Sequence, residues 1–123
     1  MKKDLSPQEI INLHIESDRI IEAALMSGDS KTNNKEVKKL NKLTAPLKDD
    51  LELAKYVYGE LFKSDCIRSR CHAAVDCLRL GIHINEAEQI LEELSQRDDI
   101  GITRTGCEMA LKVWRGEVPG KTL

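Results

Sequence analysis

The segment RSRCHAAVDCLR, residues 68–79, returns 36 positions later (68 to 104) as RTGCEMALKVWR, residues 104–115. In each copy the apolar members fall at i, i+3, i+4 and i+7, the spacing that places side chains on one stripe of an α-helix. A helical segment echoed at a fixed period is typical of stacked helical repeats. We therefore expect two equivalent helices that pack through corresponding residues. The matched pairs are Arg68 with Arg104, Cys71 with Cys107, Ala74 with Ala110, Val75 with Leu111, Leu78 with Trp114, and Arg79 with Arg115.

The composition predicts one soluble helical domain. The chain has 123 residues, of which 41% are hydrophobic, 33% charged and only 3% aromatic, so the core must be aliphatic. The net charge of −2 argues against direct nucleic-acid binding, which depends on clustered lysine and arginine. No apolar run approaches the roughly 18–20 residues of a membrane span and no leader is recognisable, so we expect a cytoplasmic protein whose four cysteines remain thiols.

Six helices follow from apolar periodicity and from residues typical of helix ends. The first predicted helix runs from Pro7 to about Met26, and a polar loop over 30–34 and a short helix around 37–43 follow it. The third helix covers about 50–63 and the fourth ends at Gly81. The fifth begins at a capping box at 85–88, and the sixth ends at Gly116. No useful β-period alternation is present. The predicted fold is therefore an all-α, HEAT/ARM-like α-α superhelix in a single domain over 1–123, with capping helices at 6–45 and hairpins at 49–81 and 85–116.

The sequence disfavours both a zinc site and thiol catalysis. Cysteines and histidines that could bind zinc are concentrated in the 18 residues 66–83. On a helix, however, their side chains point in different directions, and no C-x2-C pair is present. A cysteine hydrolase would need His14, His72 or His83 beside a thiol, yet no oxyanion loop or glycine-rich elbow accompanies any of them. We therefore expect no enzyme activity, no cofactor and no metal. The possible zinc ligands were Cys66, Cys71, His72, Cys77 and His83.

The remaining polar features suit contacts with another protein. Lys35, Lys38, Lys39 and Lys42 share one helix face, which is more often a solvated face than a phosphate site. Polar rows flank the repeat stripes, and stacking should bring the two rows side by side as a mixed-charge surface, unless their arginines only bridge acidic residues in the turns. The rows are Arg68, His72, Asp76 and Arg79 in one copy, and Arg104, Glu108, Lys112 and Arg115 in the other.

Acidic side chains form the second candidate surface, because they would complement a basic partner. Some of them are also placed to complement helix dipoles, a purely structural role. The sequence does not choose between the acidic surface and the polar rows. The acidic candidates are Asp49, Asp50, Glu52, Glu86, Glu88, Glu92, Glu93, Asp98 and Asp99.

Four short motifs together resemble a family of small bacterial proteins catalogued as a domain of unknown function, number two thousand and nineteen. The resemblance runs from about Ser6 to Glu117, and its most distinctive part is the closing Ala-Leu-x-x-Trp-x-Gly. The cysteine-rich fourth helix departs from the family's alanine-rich pattern. The motifs are Gly28-Asp29 with Asn34, Ile67-Arg68 leading into Ala73-Ala74, Ala87-x-x-Ile90-Leu91-Glu92-Glu93-Leu94, and Ala110-Leu111-x-x-Trp114-x-Gly116.

The resemblance implies a HEAT-like superhelix without known enzyme activity. Proteins of this kind are often immunity proteins of polymorphic toxin systems, including contact-dependent growth inhibition and Rhs systems. We therefore expect an immunity protein that binds a cognate toxin domain, such as a nuclease, and occludes its active site. The alternative is a helical-repeat adaptor that binds a host protein and neutralises nothing.

Overall fold

Six α-helices and one 3-10 helix lie within the part of the chain that the structure describes. The computed structural model describes residues 5–118, so the ends of the predicted domain, 1–4 and 119–123, lie outside the described residues. No strand occurs within 5–118, and the predicted all-α class is confirmed. No helix in that range is both long and apolar enough to cross a membrane. The helices are α1 (Pro7–Ser27), α2 (Ser30–Thr44), α3 (Leu51–Leu61), α4 (Ile67–Leu80), α5 (Ile84–Ser95) and α6 (Ile102–Trp114), with the 3-10 helix at Ala45–Asp49.

Local sequence explains where the first two helices begin. The capping box predicted at the start of α1 is confirmed, since the Ser6 hydroxyl accepts from the Glu9 amide and the Glu9 carboxylate accepts from the Ser6 amide. The polar loop predicted over 30–34 is wrong. Gly28 adopts a left-handed conformation and the Asp29 side chain caps the next helix by accepting from the Thr32 amide, so α2 begins immediately at Ser30.

The fifth helix also begins differently from the prediction. A capping box at 85–88 was expected, but α5 starts at Ile84 and its cap position is His83, without a side-chain cap bond. His83 has φ +47°, which is uncommon for a residue with a side chain. Its Nε2 lies 2.9 Å from the carbonyl oxygen of Lys55 on α3, so a tertiary contact fixes this start.

Three hairpins, α1–α2, α3–α4 and α5–α6, stack in chain order. Helix α1 packs on α2, α3 and α4, while α4 packs on both α5 and α6. The first pair of helices therefore extends the stack as a hairpin of its own. Leu47, Leu61, Leu78 and Leu91 are essentially inaccessible in the aliphatic core.

The echoed segments occupy α4 and α6, and they pack against each other as the repeat predicted. The Sγ atoms of the corresponding Cys71 and Cys107 lie 2.8 Å apart in the core. Trp114 differs from its partner Leu78, because it lies partly exposed and donates from its indole nitrogen to Glu88 at 2.9 Å. The equivalence of the two helices therefore holds in the core and weakens toward the end of the stack.

Candidate functional site

A groove runs along α4 between α2 and α6, the second helices of the three hairpins. Its main part has a volume of about 500 Å³, and a depression of about 250 Å³ continues it toward the end of α2. The two parts share Val37, Arg68, His72, Val75 and Arg79. The groove is therefore one continuous concave surface with α4 as its floor.

The edges of the groove carry large apolar side chains that are exposed to solvent. Ile102 and Met109 project from α6 and Leu25 from the end of α1, and Met26 lines an adjoining depression that shares Leu25 and Ile102 with the groove. Met26 is 90% exposed and Ile102 is 71% exposed. Exposed apolar side chains that cluster around a concavity are typical of protein-binding surfaces, and methionine adapts well to different partners.

The centre of the groove is polar, and its Asp76 carboxylate is paired with neighbouring side chains. The Tyr58 hydroxyl donates to Asp76 at 2.9 Å, and Arg79 lies 3.5 Å from the other Asp76 oxygen. Burial, together with the Asp76 charge, raises the pKa of Tyr58, so its hydroxyl remains a donor at neutral pH. Because both Asp76 oxygens are engaged, the exposed part of Arg79 and the partly exposed ring of His72 are the polar groups that a partner can reach.

A buried polar cluster lies beneath this polar centre. Asp18 of α1 has no accessible surface, and its Oδ2 is 2.9 Å from Nδ1 of His14 and accepts from the Ser69 hydroxyl at 2.7 Å. Its Oδ1 is 3.0 Å from Nδ1 of His72 and 3.5 Å from Nε of Arg68, both of which line the groove. Asp18 thus connects α1 to the groove floor.

The charge balance of this cluster favours an ionised Asp18. Burial alone would raise the pKa of the Asp18 carboxyl, because desolvation disfavours the charged form. The close contacts with His14 and His72 act in the opposite direction and prevail, so the pKa of Asp18 lies well below its usual range. The carboxylate is therefore charged throughout the physiological range.

The structure assembles one of the two predicted polar rows and separates it from the other. Arg68, His72, Asp76 and Arg79 all line the groove. The expectation that the α6 row lies beside them is wrong, because α6 turns those residues away from α4. Arg104 donates to the Ser95 carbonyl and lies 3.6 Å from Asp98, and Arg115 lies 3.4 Å from Glu92.

The remaining α6 residues of that row pair with each other, since Lys112 lies 3.4 Å from Glu108. The α6 residues that do face the groove are apolar or small: Ile102, Thr103, Gly106, Met109, Ala110 and Val113. The mixed-charge surface is consequently confined to α4, with an apolar wall on one side.

The predicted acidic surface is dispersed over the start of α3, helix α5 and the α5–α6 loop. Several of its members have local partners: Asp50 caps α3, Glu52 lies 3.5 Å from Lys55, and Asp99 forms a close pair with Arg97 at 2.6 Å. Glu88 accepts from Trp114, and Glu86 lies 4.0 Å from His83. Neither Asp49 nor Glu93 lines the groove. The groove is therefore the better-assembled candidate surface.

The four cysteines are all buried free thiols. Burial raises the pKa of Cys66, and raises that of Cys77 to about 12. The pKa of Cys71 is raised by its hydrogen bond with Cys107 and by burial, while that bond lowers the pKa of Cys107. Cys107 has no accessible surface, so none of the four offers an accessible thiolate.

Thiol labelling tests this picture of the cysteines. We expect none of the four to react with a disulfide reagent such as DTNB at pH 7 while the chain is folded, and all four to react in guanidinium chloride. The physical reason is that each sulfur is buried and three of the four pKa values are raised. A thiol that reacts rapidly in the folded protein would contradict this prediction and would favour a cysteine nucleophile.

Sequence reasoning missed Asp18 and saw His14 only as a possible partner of a thiol. Leu13 and Leu25 of α1 are both about 40% exposed. The buried face instead contains His14, Ser17 and Asp18 between Ile10 and Ile21. The available signal was that these polar residues stand at helical spacing inside an apolar stripe, where an unpartnered polar side chain would be costly.

No family model, curated protein or solved structure matches this chain. The family resemblance described from the sequence motifs therefore remains a prediction. The site has to be interpreted from its own geometry.

Proposed function

We propose that this chain is an immunity protein that binds and neutralises a cognate bacterial toxin domain, such as a nuclease of a contact-dependent growth inhibition system. The observation that carries the proposal is the groove along α4, with apolar edges and a polar centre. The resemblance in sequence motifs supplies the class of partner, and the groove supplies a surface suited to it.

The groove is suited to a segment of a folded partner. Its apolar edges can bury side chains at the centre of an interface, and Arg79 and His72 can orient a polar group between them. Since the Asp76 carboxylate is already engaged, the complementary partner segment carries an acidic side chain among apolar ones. Binding across α4 would place the stacked hairpins over the toxin's active site.

Coexpression tests the proposal directly. An immunity gene is expected directly downstream of its toxin gene, so the protein encoded by the reading frame immediately upstream would be induced with and without this protein. We expect growth to be rescued and the two proteins to copurify as a stable complex. Toxicity without rescue, together with no complex, would refute the immunity function, and binding to a host protein without rescue would favour the adaptor alternative.

A further inference from the structure

The polar cluster beneath the groove brings together two imidazoles and one carboxylate. His14 and Asp18 lie one turn apart on α1, and His72 approaches from α4. One ligand atom from each of the three residues can be chosen so that all lie within 4.8 Å of one another. Imidazole nitrogen and carboxylate oxygen are donors that zinc and neighbouring divalent transition metals accept.

The distances in the cluster are short enough for ligands that share an ion. Two ligands each about 2.1 Å from an ion are about 3.0 Å apart at a right angle and about 3.4 Å apart at the tetrahedral angle that zinc prefers. The two observed separations between imidazole nitrogen and carboxylate oxygen are 2.9 Å for His14 and 3.0 Å for His72. Each histidine faces a different oxygen of Asp18, an arrangement compatible with one ion between the carboxylate and both rings.

Hydrogen bonding alone leaves this cluster incompletely satisfied. His14 Nδ1 and Asp18 Oδ1 are buried and have no aligned hydrogen-bond partner, although both are close to polar atoms. Buried polar atoms without partners are uncommon and costly. The atoms that bind one ion direct their lone pairs at the ion and not at each other. They therefore lie close together without the alignment of a hydrogen bond.

We propose that His14, Asp18 and His72 bind one divalent transition-metal ion of the Zn²⁺ class, which ties α1 to α4 beneath the groove. His72 is 33% exposed in its side chain and lines the groove, so the groove gives the ion a route of entry. The hydroxyl of Ser69 holds the Asp18 carboxylate in place by donating to Oδ2, as outer hydrogen bonds commonly do for ligating carboxylates.

Arg68 competes with the ion for Asp18. Its Nε lies 3.5 Å from Oδ1, is itself buried without an aligned partner, and brings a positive charge next to the ligand set. A bound ion replaces the guanidinium as the cation facing this oxygen. The two positive charges repel each other, so removing the guanidinium charge favours the ion.

Cobalt titration of the full chain, freed of metal by a chelator, tests the site. We expect one Co²⁺ per chain, with a visible spectrum of nitrogen and oxygen ligation and without a thiolate charge-transfer band. His72→Gln is expected to weaken Co²⁺ binding by at least about 100-fold, since even outer partners of a ligand contribute 10–100-fold. His83→Gln is the matched control, because His83 contacts Lys55 and lies outside the cluster.

Two further measurements complete the test. Zn²⁺ should raise the thermal unfolding midpoint of the wild type but not of His72→Gln. Circular dichroism should show that His72→Gln and His83→Gln both remain helical. Arg68→Gln should bind Co²⁺ at least as tightly as the wild type. The proposal is overturned by an absence of Co²⁺ uptake, by a thiolate band, or by equal binding in His72→Gln and the wild type. These results do not depend on the toxin partner.

Discussion

Replacing Asp18 with asparagine is expected to lower the free energy of unfolding by about 3–5 kcal/mol. The carboxylate is fully buried and compensates the positive charge of Arg68, while Ser69 and both histidines are close to its oxygens. An asparagine amide has the same shape but no charge, so the buried part of the Arg68 guanidinium would lose the negative charge that compensates it. Denaturant unfolding followed by circular dichroism, in buffer containing a chelator, measures the difference.

Asp65→Asn is the matched control for Asp18→Asn. Asp65 also pairs with an arginine, Arg19 at 3.3 Å, but its side chain is 94% exposed. Exposed ion pairs contribute little, so this variant should unfold almost as the wild type does. If Asp18→Asn and Asp65→Asn had equal effects, the buried cluster would not stabilise the fold. Should Asp18→Asn fail to fold at all, Ser69→Ala removes one hydrogen bond to the same carboxylate and should cost about 1–2 kcal/mol.

The contribution of Asp18 should also depend on pH in a defined direction. Its pKa is lower in the folded chain than the value of about 3.9 in the unfolded chain. The stabilisation is therefore present in full above the unfolded pKa and is lost as the pH falls below it. The difference in unfolding free energy between the wild type and Asp18→Asn should therefore shrink as the pH falls below about 4. A difference that grew as the pH fell below about 4 would contradict this assignment.

Replacing Met109 with aspartate should weaken binding to the toxin domain by at least about 30-fold, the effect of losing one strong contact at the centre of an interface. This prediction rests on the proposed function. Met109 lies on the α6 edge of the groove and is half exposed, so the substitution places a charge on the binding surface without opening the core. Isothermal titration calorimetry with the purified toxin domain measures the change.

Tyr56→Asp provides a control of equal exposure. Tyr56 is 51% exposed on α3, compared with 50% for Met109, and it does not line the groove. We expect its affinity for the toxin domain to stay close to that of the wild type. If Tyr56→Asp lost binding and Met109→Asp kept it, the partner would bind along α3, near the acidic candidates Asp49, Asp50 and Glu52, and the groove would not be the interface.

Much of the fold was available from short-range sequence patterns. The stripe spacing in 68–79 and 104–115 predicted α4 and α6, and the Ser6 capping box predicted the start of α1. These features depend on residues within one or two turns, so the chain encodes them locally. Two predicted helix starts were wrong for different reasons. Helix α2 begins early because Asp29 caps it directly after Gly28, which is a local signal, whereas the start of α5 depends on the tertiary contact between His83 and α3.

The candidate site also has a part that the sequence predicts and a part that depends on helix packing. The row on α4 was visible as a polar face, because four residues at helical spacing on one helix share a direction regardless of their surroundings. The corresponding row on α6 could not be placed, because its direction depends on how α6 rotates against α5. That rotation is set by packing of Cys107 and Leu111 and by the contacts of Arg115 with α5.

By itself the sequence determined an all-α chain, the echoed pair of helices and the apolar stripes that stack them, since helical periodicity follows from 3.6 residues per turn. Only the tertiary structure decided that Asp18 meets His72 across 54 positions (18 to 72), and that α2 and α6 stand apart over α4. The physical reason is that helix packing fixes which residues from distant parts of the chain become neighbours, and local periodicity carries no information about that choice.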